Sequence, residues 1–152
     1  MFGSIRKVLV TGPHRSGTTI ATEIIAAELG LPAIRECDLA HPRFEGDTEP
    51  DLCESDIRKM KEGVLQGATT FRWLPEVADY FDAVVVVVRN PEDIIASQIR
   101  YRGRQLDNPT AKYSLLKAMK FPLVVWVEYE TLSKHPLFYK DRKGWKPRQT
   151  SP

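Results

Sequence analysis

The sequence predicts an α/β domain of three layers, with a central parallel sheet of about five strands between helices. Three observations predict it. Short apolar runs alternate with helical stretches, the pattern of strand–helix–strand units joined by right-handed crossovers. Residues 83–88 hold five consecutive valines, and an unbroken β-branched run belongs to a strand buried on both faces. Between the first apolar run and the first helix lies Gly12-Pro13-His14-Arg15-Ser16-Gly17-Thr18-Thr19, a glycine-bounded turn.

Each element follows from its own residues. Residues 5–11 form the first strand by their apolar run. Residues 16–30 form a helix whose Ile20, Ile24, Ile25, Ala27 and Leu29 make an apolar stripe, with Gly30 suited to the stop. A short second strand is predicted over 31–36. Residues 38–56 read as a long loop with seven acids against Arg43 alone; loops of that length are functional or mobile in compact domains. A helix over 55–62, a third strand over 64–71 and a short helix over 74–80 follow. After the valine strand, Asn90-Pro91-Glu92-Asp93 opens a helix to about Arg102, with proline in its first turn and acids complementing the dipole. Asn108-Pro109 precedes a helix over 110–120. A fifth strand over 123–127 and one or two helical turns over 130–135 complete the frame. Residues 1–139 are expected to form one domain, and 140–152 a basic C-terminal tail that is frayed or folded over the site.

Composition bounds the function. The chain has 152 residues and a net charge of +2, enough for one core and too little charge to imply a nucleic-acid partner. No apolar run reaches the roughly 18 residues of a membrane span. No charged-then-apolar leader is visible, so a cytoplasmic protein with Cys37 and Cys53 reduced is expected. His14, His41 and His135 are scattered, no Cys/His cluster has metal-ligand spacing, and no metal is expected.

The turn from Gly12 to Thr19 carries the chemistry. Strand, glycine loop and helix start aim backbone N–H groups and the positive end of a helix dipole at one spot, where an anion binds. The spacing Gly12 to Gly17 is that of a P-loop. The lysine that ATP and GTP users place after the second glycine is absent; Thr18 stands there, and Arg15 lies inside the loop. Ligands of parallel sheets sit beyond the carboxyl ends of the strands. Residues 11–19, Glu36, residues 69–71, Arg89 and residues 128–129 therefore fall on one rim. Arg89 leaves the valine strand there and Ser97 lies eight residues on; a guanidinium fork and a hydroxyl make a clamp for a second phosphate.

Together these residues resemble a family. Arg15-Ser16-Gly17-Thr18-Thr19 after strand one, Arg89-Asn90-Pro91 with Ser97 after a buried strand, and Val127-Glu128-Tyr129-Glu130-Thr131-Leu132 after a late strand are similar to motifs of the sulfotransferases that use 3′-phosphoadenosine 5′-phosphosulfate (PAPS). The resemblance covers about residues 7–136. It implies a P-loop fold in an unusually short member, with PAPS as donor, 3′-phosphoadenosine 5′-phosphate as product, and a small-molecule, carbohydrate or peptide acceptor offering a hydroxyl or amine. It implies that Gly12, Arg15, Ser16, Gly17, Thr18 and Thr19 hold the 5′-phosphosulfate, Arg89 and Ser97 the 3′-phosphate, and Tyr129 the adenine. In one branch a glutamate just after strand two acts as base. Glu36 holds that place and, with Arg15, is the expected catalytic residue.

The departures keep other readings open. The histidine that cytosolic members carry before a Leu-Pro pair is missing: Phe71-Arg72-Trp73 precedes Leu74-Pro75. Arg142-Lys143-Gly144 resembles a late 3′-phosphate tripeptide but lies too close to Tyr129. His14 and His41 are alternative bases. Arg89 can instead pair with Glu92 or Asp93 on the surface. The alternatives in function are a P-loop small-molecule or nucleotide kinase, and a catalytically inactive nucleotide-binding module.

Overall fold

The computed structural model describes residues 5–42, 44–48, 52–67, 74–121 and 123–138. Five strands, β1 (Lys7–Thr11), β2 (Ala33–Ile34), β3 (Gly63–Gln66), β4 (Ala83–Val88) and β5 (Val124–Glu128), form one sheet in the order β2-β3-β1-β4-β5. Every pairing is parallel. The helices are α1 (Thr18–Leu29), α2 (Glu36–Leu39), α3 (Glu54–Arg58), α4 (Leu74–Val77, continued by a 3₁₀ turn over Ala78–Tyr80), α5 (Pro91–Arg102), α6 (Pro109–Ala118) and α7 (Tyr129–Leu132).

Alternation along the strands builds two cores. Val8 and Val10 of β1 and Ala83, Val85 and Val87 of β4 point to one face, where they meet Ile20, Ala21 and Ile24 of α1 and Leu132 of α7. Leu9, Val84 and Val86 point to the other, against Ile57, Leu74, Val77, Phe81 and Leu116. The valine run is thus buried because each face of β4 has its own helical layer. Asp82 locks the start of β1 by accepting the N–H groups of Arg6 (2.8 Å) and Lys7 (2.9 Å). Those bonds hold its carboxyl below the ordinary carboxylate range.

The strand order places a functional crevice. From β1 the chain crosses by way of α1 to β2 on one side; from β4 it proceeds by way of α5 and α6 to β5 on the other. The loops leaving the adjacent strands β1 and β4 therefore part company, and a ligand crevice opens at such a reversal. The loop leaving β1 is the glycine turn; the loop leaving β4 begins at Arg89.

Several expectations are corrected. The second strand is only two residues, and Glu36 opens helix α2 instead of ending a strand. The acid-rich stretch is not wholly loop, since the end of α2 and the start of α3 fall in it. The helix expected over 55–62 ends at Arg58. Residues 69–73, the Arg142-Lys143-Gly144 tripeptide and the tail lie outside the described residues, as does the Cys37 side chain; among the described residues Cys53 is in no disulfide. No described helix is long and apolar enough to cross a membrane. β5 is one of the sheet's two outer strands and leaves Val124, Val125 and Trp126 partly exposed.

Candidate functional site

The glycine turn needs its two glycines for different reasons. At Gly12 (φ 154°) a Cβ would fall 2.8 Å from Ser16 Oγ and 3.1 Å from the Val87 carbonyl, so the loop could not lie against β4. At Gly17 (φ 106°) a Cβ would fall 2.7 Å from the Tyr129 ring, so the missing side chain admits that aromatic. Arg15 also takes a positive φ, 70°, and it is the one described non-glycine residue to do so. Such a conformation costs roughly 1–3 kcal/mol, which surrounding structure must offset.

α1 starts differently from the other long helices. Asn90 caps α5 by accepting the Glu92 N–H, and Asn108 caps α6 by accepting the Ala111 N–H. No side chain caps α1, and its first turn contains no acid. Its leading N–H groups are left for an anion.

Around this turn lies a cavity of about 470 Å³, lined by the loop from His14 to Ile20 (Ser16 excepted), with Gln66, Arg89, Tyr101, Arg102, Leu106, Tyr129 and Phe138. Among the described residues three arginines reach it, Arg15, Arg89 and Arg102, and no carboxylate lines it. Arg89 is buried at 8% exposure. Its guanidinium donates to the Arg15 carbonyl at 2.9 Å and lies over the Tyr129 ring at 4.4 Å. Among the described residues no carboxylate pairs with it; the pairing with Glu92 or Asp93 that the sequence allows is not formed. Arg15 donates from Nε to Ser97 Oγ at 3.2 Å and lies over the Tyr101 ring at 4.5 Å. The clamp expected of Arg89 and Ser97 is therefore divided: Ser97 serves Arg15 and stands outside the cavity lining.

The remaining expected residues separate into two groups. Thr18, Thr19 and Tyr129 line the cavity. Gln66 donates to Thr19 Oγ1 at 2.7 Å and so ties the loop to the end of β3. Ser16 is fully buried beside Tyr113; its N–H donates to the Pro13 carbonyl at 3.2 Å, and its hydroxyl has no hydrogen-bond partner among the described residues. Glu36 stands outside the lining, and His41 is engaged elsewhere, 2.9 Å from the Asp56 carboxylate.

Sequence reasoning missed a buried polar hub behind the loop. Gln98 is fully buried. Its Nε2 donates to the His14 carbonyl (2.8 Å) and to Asp107 Oδ1 (2.7 Å), while its Oε1 accepts the Leu106 N–H (2.6 Å). Asp107 Oδ2 in turn accepts the His14 N–H (2.9 Å) and the Lys112 ammonium (3.1 Å). Burial works to raise the Asp107 carboxyl, but the donors from His14, Gln98 and Lys112 outweigh it and hold it below the carboxylate range. Tyr113 does similar service beside Arg89. Its hydroxyl donates to the Val87 carbonyl (2.7 Å) and accepts the Arg89 N–H (3.0 Å). Burial pushes its pKa up to about 12, so the proton stays in place.

No protein-family model matches the chain, and none of the curated proteins does. Among solved structures, a gluconokinase from Sinorhizobium meliloti 1021 is similar, at 20% identity and a TM-score of 0.48, over 87% of this chain and 85% of that one. The expectation of sulfuryl transfer is corrected at this point. The similar structure is by name a kinase and accords with the alternative reading rather than with a sulfotransferase. The likeness itself assigns no activity to this chain.

Proposed function

We propose that this chain is a nucleotide-dependent transferase of the P-loop kind that moves a phosphoryl group to a small hydroxyl acceptor. The observation that carries the proposal is the cavity at the β1/β4 reversal. An uncapped helix start and three arginines converge there, with no carboxylate among the described lining residues. Such a site is complementary to a polyanion and to the charge that grows on a leaving phosphate. Thr18 stands where a lysine would serve an ATP user, and Arg15 and Arg89 supply the missing charge from either side of the loop. Tyr129 and Phe138, packed edge to face at 5.7 Å, offer an aromatic wall for a base.

Thermal shift against ATP with Mg²⁺, ADP and 3′-phosphoadenosine 5′-phosphate tests the binding half, because a ligand that binds only the folded form raises the melting temperature. ADP formation with a panel of sugars, alcohols and phenols tests the transfer half. The proposal expects ATP to stabilise the protein and at least one acceptor to accelerate ADP release. It is overturned if 3′-phosphoadenosine 5′-phosphate is strongly preferred to both adenosine polyphosphates, or if no nucleotide binds. That no described residue places a carboxylate along the cavity also suits a nucleotide-binding module without catalysis. Tight ATP binding with no turnover on any acceptor would select that second reading.

A further inference from the structure

We propose that His14 is the proton acceptor of this site, taking the proton from the incoming hydroxyl, and that Gln98 and Asp107 are the positioning residues that hold it there. This rests on the phosphoryl-transfer reading above.

The argument begins with the backbone. His14 lies within the phosphate loop and lines the cavity beside Arg15, Arg102 and Leu106. Its peptide is gripped on both sides: Asp107 accepts its N–H and Gln98 donates to its carbonyl. Gln98 has no other freedom, since its two N–H groups and its oxygen are all engaged. The ring itself has no hydrogen-bond partner among the described residues. A loop residue fixed by its main chain, with its imidazole left free at a cavity wall, is disposed for a ligand rather than for the fold. Glu36 has no such position, because it does not reach the lining.

The surroundings favour the neutral ring. Burial is the chief influence lowering its pKa from the usual 6.5; Lys112 on α6 and Arg102 on α5 act in the same direction. Asp107, in the segment joining those helices, and Glu36 on α2 oppose them and do not prevail. A neutral imidazole accepts a proton, whereas an imidazolium would merely be another cation among the arginines.

The step balances with a nucleoside triphosphate as donor. A lone pair of the acceptor oxygen forms the bond to the γ-phosphorus. The bond from that phosphorus to the β–γ bridging oxygen breaks, and its electron pair leaves on the nucleoside diphosphate. The hydroxyl proton passes to an imidazole nitrogen of His14, which afterwards releases it to water.

The whole chain as wild type and two variants, His14→Gln and Gln98→Leu, test this. H14Q retains the main-chain groups that make both bonds and is expected to fold as the parent does, checked by its melting temperature. Nucleotide binding and wild-type turnover are measured first, and their absence defeats the phosphoryl-transfer reading and the proposal with it. Given wild-type turnover, H14Q is expected to lose about 100-fold or more in kcat while binding ADP within about twofold of wild type. The acid limb of the pH–rate profile should vanish in H14Q and move toward 6.5 in Q98L. Proton NMR of the three histidines, with the His14 signal identified by its loss in H14Q, should show a neutral ring at pH 7 in the ADP complex. Turnover of H14Q within about threefold of a working wild type overturns the proposal and leaves the transferase reading intact. So does a protonated His14 in that complex.

Discussion

Arg89 and Asp56 are two charged side chains withdrawn from water, at 8% and 2% exposure, and they are treated in opposite ways. Asp56 is fully provided for: His41 lies against one carboxylate oxygen, and the Cys53 N–H (3.1 Å) and thiol (3.3 Å) donate to the other. It joins the segment after α2 to the start of α3, and its charge ends there. Arg89 has a carbonyl, an aromatic face and no described carboxylate. Burying a charge without a counterion is costly unless something else supplies the counterion. On the proposed function, the contrast separates a charge used to hold the fold from one that would meet a ligand.

The largest expected effect is on the ligand side. Arg89→Met should weaken nucleotide binding by roughly 1.5–3 kcal/mol, the range for hydrogen bonds to charged groups, read by calorimetric titration. Asp56→Ala should do the reverse. It strands the Cys53 N–H and releases His41, costing about 1–3 kcal/mol of folding stability in urea melts, with nucleotide affinity unaltered. If Asp56→Ala weakened the nucleotide as much as Arg89→Met did, the distinction between the two charges would be lost.

Smaller changes sharpen the comparison. Tyr113→Phe removes the hydroxyl that joins the Val87 carbonyl to the Arg89 N–H. It should cost about 1 kcal/mol of stability and a lesser share of affinity, because the guanidinium keeps its charge while its backbone loosens. The smallest effect is that of pH. The folded-state pKa of His14 lies below its ordinary 6.5, so the unfolded chain binds more protons in the window between the two values. His14 therefore contributes stability that is full above 6.5 and is lost as pH falls through that window. Asp107 adds loss of the same sign at lower pH, because its carboxyl is likewise depressed. Denaturant melts at pH 7 and about pH 5 should show a smaller acid loss in H14Q than in wild type.

The frame was legible wherever one element declared itself locally. Five valines marked β4 to the residue, Asn90-Pro91 marked the start of α5, and Gly30 its place after α1. The glycine turn was legible as a strand–turn–helix because glycine spacing between a strand and a helix is a local constraint. The second strand was not, since a two-residue strand has no period to read. The cavity walls were only half legible. Tyr101, Arg102, Leu106 and Phe138 meet the loop through tertiary packing, across long stretches of chain. Likewise, spacing put Arg89 and Ser97 on neighbouring elements, but only the packed structure shows Arg15 reaching the serine. Gln98 did leave a signal: it lies four residues beyond the buried Ile94, a polar amide on the inward stripe of α5.

The most direct test of the unpaired arginine is to measure folding stability of wild type and Arg89→Met with and without saturating ATP. Without nucleotide the two should agree within about 1 kcal/mol, or the variant should be the more stable, because an uncompensated buried charge has been removed; with nucleotide only the wild type should gain fully. A variant that is several kcal/mol less stable alone, yet gains as much from ATP as wild type does, would show Arg89 to be a structural charge and contradict the account.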